Sequence, residues 1–395
     1  MRESSKLQSF SDHFNSEELL EILQTLIYHK SEYPINTEES AARYVKDLLI
    51  ENGIEAKLKW VADGRPNVYA ELTGSQSGPT LLYNGHLDVV PAGEGWKSNP
   101  FESVVRDGKL YGRGAADMKS GVAAMIYSAI VLKRMGSPFK GKLILFFNVD
   151  EERENLGMRE FLKEDVSADY AVISEPTDLN ICIAHKGVAR YRLRTNGIPM
   201  HAAKVKDNDN NAIINMSILL SALENLNKEI KSKKDPVLGN ASLTVTEIKG
   251  GTAINIVPSK CEIEIDRRLL DGETEEDVLM KMENVLQNVA EKNNIDYELE
   301  NYLFIPATNI SMKHELVKSL QKVIEERYSK EAKVEAFGAT CEAPFLSIYK
   351  GIPTIIYGPG SLNQAHVVDE FVEVQQVIDA SQTFIDLALK LLQGK

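Results

Sequence analysis

Pro79-Thr80-Leu81-Leu82-Tyr83-Asn84-Gly85-His86-Leu87-Asp88 joins an apolar run to a histidine and an acid. Pro79 to Tyr83 is a short apolar run closed by Asn84-Gly85, the pattern of a buried strand with function at its carboxyl end. The same pattern recurs further on. Lys142 to Val149 is an apolar strand running into Asp150-Glu151-Glu152, and Tyr170 to Ser174 is another, running into Glu175-Pro176. Ser120 to Met135 reads as a long buried helix between the first two. Alternating strand and helix predict an α/β domain with a mostly parallel sheet flanked by helices. Open sheets of this kind place their sites just past strand carboxyl ends, where these polar residues stand.

Upstream, Glu17 to Ile27 and Glu38 to Asn52 carry apolar residues at helical spacing, with Thr37 as the expected N-cap of the second helix. Asn52-Gly53 stops that helix, and Glu55 to Trp60 follows as a strand. Downstream the pattern changes near residue 188. Val188 to Thr195, Ala241 to Glu247, Ser259 to Arg267 and Asp296 to Leu303 read as strands, and Asn210 to Ile230 and Glu275 to Glu291 as helices. Their β-α-β-β-α-β order predicts a ferredoxin-like unit. From about Lys313 the first pattern resumes, with a helix over Glu315 to Tyr328, a strand over Pro353 to Tyr357 and a helix over Val374 to Leu392. One α/β domain, residues 1–187 and 301–395, is therefore expected to be interrupted by an inserted α+β domain, residues 188–300.

A chain of 395 residues is too long for one ordinary core, which agrees with two domains. The net charge of −13 argues against nucleic acid and against an anionic membrane surface, though not against a small anionic substrate gripped by a local arginine. Cys182, Cys261 and Cys341 are few and far apart, so neither a disulfide framework nor a CxxC metal site is expected, and a reducing compartment fits. Met1 to Asn15 is polar and of mixed charge, without the apolar region of a secretory signal, and no apolar run is long enough for a membrane span. The expected location is cytoplasmic.

Five features carry metal chemistry. In Gly85-His86-Leu87-Asp88, residues two apart on a strand face the same side, so Asp88 is placed to fix which ring nitrogen of His86 holds the proton. Asp117 lies in Gly112-Arg113-Gly114-Ala115-Ala116-Asp117-Met118-Lys119-Ser120-Gly121, where glycines permit close approach; a phosphate loop or a plain helix cap reads equally well there. The adjacent acids of Asp150-Glu151-Glu152 repel one another and need a cation if buried. Glu175 follows an apolar strand, and His366 follows Gly358-Pro359-Gly360. Taken singly, each has a plain reading as a turn, a cap or a solvated loop. As a set of two histidines and several carboxylates they suit zinc, with cobalt or manganese as substitutes.

The motifs G-H-L-D-V-V-P, G-R-G-A-A-D-M-K-S-G, D-E-E, S-E-P-T and G-P-G-S-L-N-Q-A-H-V-V-D-E, in this order over about residues 80 to 375, resemble those of the acetylornithine deacetylase and succinyl-diaminopimelate desuccinylase family. The resemblance implies a zinc-peptidase-like fold and a site of two zinc ions. His86 and Glu175 would be ligands of one ion, Glu152 and His366 of the other, with Asp117 bridging. Asp88 would orient His86, and Glu151 would be the general base, divergent from its neighbour Glu152 on an extended chain or in a turn. In the inserted domain, His201 matches an oxyanion-binding histidine and Asn255 a substrate-facing position. Asp266-Arg267-Arg268 resembles a D-x-R motif in which Arg268 grips a substrate carboxylate and Arg267 is the variable middle residue. Relatives use this domain for dimerisation, so a homodimer is expected. Asn148 departs from the family, standing where a small hydroxyl residue is common.

The catalytic motifs do not separate the family's substrates. Thr340-Cys341-Glu342-Ala343-Pro344-Phe345 most resembles acetylornithine deacetylases, which implies hydrolysis of the small N-acyl amino acid N2-acetyl-L-ornithine to ornithine and acetate, within arginine biosynthesis. Glu342 is then a candidate partner for the substrate's distal ammonium. Desuccinylation of succinyl-diaminopimelate, or a broader aminoacylase or peptidase activity, is the alternative within the class. From other classes, an inactive scaffold relative is disfavoured by the full ligand set, and a phosphate-binding protein by the absence of a G-x-x-x-x-G-K-[ST] loop.

Overall fold

The computed structural model describes residues 12–205 and 210–393. Most of the N-terminal stretch read above as lacking a secretory signal, residues 1–11, lies outside the described residues. In chain order, helices α1 (Ser16–Tyr28) and α2 (Glu39–Glu51) precede β1 (Glu55–Ala62), β2 (Arg65–Thr73) and β3 (Thr80–His86). Helix α3 (Lys119–Arg134), β4 (Lys142–Asn148), α4 (Leu156–Phe161), β5 (Tyr170–Ile173) and β6 (Ile181–His185) follow. Next come β7 (Gly187–Asn196), α5 (Ala212–Ser232), β8 (Ser242–Gly250), β9 (Lys260–Leu269), α6 (Glu275–Asn293) and β10 (Tyr297–Ile305). The chain then forms α7 (Glu315–Tyr328), β11 (Val334–Phe337), β12 (Thr354–Ile356) and α8 (Val374–Leu391). Two compact units result: Met1–Ile183 with Ile310–Lys395, and Ala184–Asn309.

The first unit is built on a sheet of order β1-β2-β4-β3-β5-β12-β6, with β11 paired to β6. Its centre, β4-β3-β5-β12, is parallel. Strands β1 and β2 are antiparallel additions at one edge. Burial alternates with the period of two that a strand requires. Leu81, Tyr83, Leu143, Leu145, Phe147, Val172 and Ile355 enter one core. Leu82, Phe146, Ala171, Ile173 and Ile356 enter another. Helices α1, α3, α7 and α8 cover the first face, and α4 with Phe345 and Leu346 the second. Because both faces are covered, the strands read as unbroken apolar runs. Helix α3 is buried from Lys119 to Leu132, which explains its lack of a polar face. A Cβ on its Gly121 would lie 2.3 Å from the Ser174 carbonyl oxygen, so only glycine admits this approach of α3 to the end of β5.

Strands β4 and β5 flank β3 on opposite sides, so the chain crosses over β3 between them. Such a crossing opens a crevice at the carboxyl ends of the strands. His86, the residues after Asn148 and those after Ile173 all emerge there.

The second unit is an antiparallel sheet of order β8-β9-β7-β10. With two crossing helices this is the ferredoxin-like arrangement. Tyr191, Leu193, Ile263 and Ile265 are buried, as are Leu219 and Leu223 of α5 and Met282 and Leu286 of α6. The opposite face carries a ladder of partly exposed ion pairs, among them Arg192–Glu264 and Arg194–Glu262, both at 2.7 Å. Exposed pairs of this kind contribute about 0–1 kcal/mol each.

Two local expectations are corrected. Thr37 does not cap α2; the N-cap is Glu38, without a side-chain cap bond. Glu38 is instead buried and accepts from Arg65 Nε at 2.9 Å, because an ion pair in the core satisfies both charged groups. Strand β2 was not foreseen, since Pro66 and the charged Arg65 disguise a segment buried from Arg65 to Ala70.

Candidate metal centre

Four loops and one strand end deliver the carboxylates and histidines. His86 closes β3 and is wholly buried. Its Nδ1 donates to the Asp88 main-chain carbonyl at 2.9 Å. The Asp88 carboxylate is farther from that nitrogen, at 3.7 Å. The carbonyl thus fixes the tautomer that the Asp88 carboxylate was expected to fix, and Nε2 is left to face the cluster. The carboxylate serves the neighbouring loop. Asp88 Oδ1 accepts the Glu151 N–H at 3.2 Å, and Oδ2 accepts the Glu152 N–H at 3.0 Å.

Asp117 is the shared member of the cluster. Its Oδ1 lies 3.2 Å from His86 Nε2 and its Oδ2 3.2 Å from His366 Nε2. One carboxylate therefore faces two histidines, one oxygen to each. The cap reading of Asp117 does not hold, because the N-cap of α3 is Met118, without a side-chain cap bond. Glu152 lies 3.0 Å from His366 Nε2. Glu151 and Glu175 each approach His86 Nε2 at 4.0 Å. Asp150, with a left-handed φ of +69°, starts the turn that carries both glutamates, with Glu151 near His86 and Glu152 near His366. His366 is itself left-handed, with φ +63°, an unusual conformation for a non-glycine residue and one that concentrates at functional sites.

The ligand atoms of His86, Asp117 and Glu175, and those of Asp117, Glu152 and His366, lie within 4.8 Å of one another. A third such group, His86 with Glu151 and Glu152, puts Glu151 at the same range. Burial raises the Glu151 pKa well above the ordinary carboxylate value, and the Glu175, Glu152 and Glu342 charges add to it. Burial and the Asp117 charge raise Glu175 in the same way. Burial disfavours the charged form of His86, but Asp117, Asp88, Glu151 and Glu175 outweigh it and lift its pKa well above the ordinary value. The hydrogen bonds to Asp117 and Glu152 push His366 up to about 10. Ionising so many buried carboxylates around two imidazoles would create an excess of negative charge that a divalent cation would neutralise. The donor set of imidazole nitrogens and carboxylate oxygens suits zinc. This chain's residues thus fit a two-ion centre.

The loop of Gly112 to Gly121 already holds an anion of its own. The N–H groups of Gly114, Ala116 and Asp117 all donate to the Glu370 carboxylate. The phosphate-loop reading is thereby replaced by an internal carboxylate. Glu370 was missed in the sequence; its only signal was its place four residues after His366 in V-V-D-E. Glu342 is wholly buried, and its Oε1 accepts from Asn148 Nδ2. Burial pushes its pKa up to about 8, and its Oε2 has no hydrogen-bond partner.

In the second unit, His201 and Asn255 come together. His201 pairs with Ile256, and the Ala202 N–H donates to the Asn255 carbonyl at 2.9 Å. His201 Nδ1 accepts the Ala203 N–H at 3.2 Å, which leaves Nε2 as the protonated, donating nitrogen of the neutral ring. Arg268 lies on the ladder face of β9 with Asp266, whose Oδ1 accepts from its Nε at 2.7 Å. Arg267 points the other way, buried, to Glu273 at 2.6 Å.

Fold and centre together mark a candidate metal centre of histidines and carboxylates at the carboxyl edge of an α/β sheet, the chemistry of a metal-dependent hydrolase. The chain belongs to peptidase family M20/M25/M40, whose model matches residues 82–390. It is 32% identical over 352 residues to an acetylornithine deacetylase of Photorhabdus laumondii, covering 86% of each chain. It is 26% identical to a probable succinyl-diaminopimelate desuccinylase of Staphylococcus aureus, covering 97% of this chain and 99% of that one. The structure of an aminopeptidase from Bacillus cereus superposes with a TM-score of 0.80 at 19% identity, over 96% of this chain and 99% of that one, and shows the same fold. Among the described residues, no helix is long and apolar enough to cross a membrane.

Proposed function

We propose that the chain is a two-zinc deacylase of N-acyl amino acids and that its substrate is N2-acetyl-L-ornithine. The observation that carries the two-ion reading is Asp117, whose two oxygens each face a different histidine at 3.2 Å. His86 and Glu175 would hold one ion, Glu152 and His366 the other, and Asp117 both. Zinc bound there supplies polarisation of the scissile carbonyl and acidification of water. Glu151 supplies a base: it stands beside the ligands in a buried setting and is not needed to complete either set of three. Its carboxylate would take a proton from the attacking water and deliver it to the leaving amine. His201, with Nε2 as donor, is the proposed oxyanion partner, and Asn255 and Arg268 the proposed substrate contacts.

The acetylornithine assignment rests on the relative of that name at 32% identity and on the Thr340 to Phe345 segment. The near-complete coverage of the desuccinylase relative supports the second reading, succinyl-diaminopimelate. A homodimer through the inserted unit is supported by Ile198, Val205, Ile213, Ile248, Ile254 and Ile256, large apolar residues exposed on that unit. Turnover of acetylornithine, succinyl-diaminopimelate, acetylmethionine and simple peptides by zinc-loaded protein tests the substrate. Acetylornithine should give the highest kcat/KM, and a higher value for any other would replace it. Activity that survives exhaustive chelation would remove the two-zinc reading altogether.

A further inference from the structure

The two loops that carry Asp117 and His366 meet at one side chain. Glu370 lies four residues beyond His366, and it is wholly buried. Its Oε1 accepts the N–H of Ala116 at 2.7 Å and of Asp117 at 3.0 Å. Its Oε2 accepts the N–H of Gly114 at 3.0 Å and Arg113 Nη1 at 2.5 Å. The backbone joins in, since the Gly112 N–H donates to the Glu370 carbonyl at 3.0 Å. The Arg113 guanidinium is buried too, over the Trp96 ring at 5.2 Å from its centroid. Three N–H donors of one loop and a guanidinium converge on one carboxylate, and hydrogen bonds to a charged acceptor are the stronger kind.

We infer that Glu370 is the positioning residue that holds Asp117 between the two histidines and so sets the second metal position. Asp117 has no helix cap role to fix it, as its neighbour Met118 opens α3. Its own N–H, however, is pinned by Glu370. The same residue anchors the far end of the His366 turn, where Asp369, also left-handed, accepts the Lys97 N–H at 2.9 Å. Losing the Glu370 carboxylate therefore frees Asp117 and His366 together. The Glu152–His366 position would lose the hold on two of its three ligands, whereas the other position would lose it on the shared Asp117 alone and keeps His86, on the sheet, and Glu175. One ion should be lost well before the other. This inference rests on the two-ion reading of the centre.

The test is calorimetric titration of zinc into chelated wild-type, Glu370→Gln and Asp386→Asn proteins, with cobalt spectra alongside. Asp386→Asn breaks an ion pair with Arg327 between α7 and α8 and controls for lost stability. Wild type and Asp386→Asn should each take up two ions with matching affinities. A folded Glu370→Gln protein should bind one ion with the smaller loss and the other at least about 10-fold more weakly, the usual scale for a lost partner of a ligand. Its cobalt spectrum should lose the coupled-pair signature. Two normal affinities in folded Glu370→Gln would overturn the inference, as would an equal loss in Asp386→Asn. Should Glu370→Gln not fold, Glu370→Asp keeps the charge but retracts it by one methylene. Weakened uptake of one ion by that variant supports the inference, and unchanged uptake overturns it. Fewer than two ions in wild type would overturn the two-ion reading and this inference with it, whereas two ions in wild type leave only the inference at stake.

Discussion

Asp88 Oδ2 accepts the backbone N–H of Glu152 at 3.0 Å, tying the end of β3 to the turn that follows β4. The residue two beyond His86 thus positions the acidic turn directly, while its carbonyl, not its carboxylate, orients the histidine. Asp88→Ala should release the main chain of both Glu151 and Glu152. Turnover is expected to fall about 10–100-fold, with KM changed less. Asp88→Asn keeps one accepting oxygen and should fall between. Steady-state kinetics on metal-analysed protein decides this; wild-type turnover in Asp88→Ala would show that the turn holds its shape unaided.

Glu151→Gln should keep both ions and lose most turnover, because Asp117, Glu152 and Glu175 remain to complete the two groups with His86 and His366. General acid–base groups contribute about 10²–10⁴-fold, so kcat should drop on that scale. The third cluster, His86 with Glu151 and Glu152, supplies the opposing outcome. Loss of one ion in Glu151→Gln would make Glu151 a ligand and leave the base to be found elsewhere.

His201→Ala should lower kcat more than it raises KM, by about 10²–10³-fold if Nε2 is an oxyanion donor. A donor supplied by a second copy adds a sharper readout. Mixed dimers of His201→Ala and Glu151→Gln chains would contain one intact site, so activity should partly return. Verified heterodimers that stay inactive would place the histidine in the service of its own chain.

His185 predicts a pH dependence of stability that is separate from the metal centre. It is wholly buried, and its Nε2 has no hydrogen-bond partner. Burial pushes its pKa from 6.5 down to about 4. The unfolded chain therefore binds more protons than the folded one between those values, and stability rises with pH. The contribution is complete above about pH 6.5 and is lost as pH falls toward about 4. At about 1.4 kcal/mol per pH unit its full size is about 3 kcal/mol. Urea denaturation of chelated protein at pH 7.5 and pH 4.5 should show a smaller loss for His185→Gln than for wild type. Parallel losses would mean that the acid sensitivity comes from other groups.

Much of the first unit was legible because its strands are short and buried on both faces. Leu81 to Tyr83, Leu143 to Phe147 and Ala171 to Ile173 have no polar side to present, and such runs stand out in a sequence. The ferredoxin-like unit showed equally well, since Cys261, Ile263 and Ile265 alternate with charged residues as one covered face demands. Strand β2 stayed hidden for the opposite reason. Its charged Arg65 is buried against Glu38 and Asp150, partners 27 and 85 positions away, and nothing local announces that pairing.

Hydrophobic period and strand ends are local properties of the chain, so the sequence carried the buried central strands, their order of appearance and the kind of residue at each carboxyl end. The tertiary structure alone decided which of those residues share a site. Asp117 faces His86 across 31 positions and His366 across 249, and only the crossing of the chain over β3 puts β4 and β5 on either side of His86. It also decided that the glycine-rich loop encloses Glu370 and that Glu342 is sealed beneath Asn148. Hydrogen-bond donors in a loop look alike whether they await a phosphate or an internal carboxylate. Which anion arrives depends on how distant segments pack, and no local pattern in the chain records that.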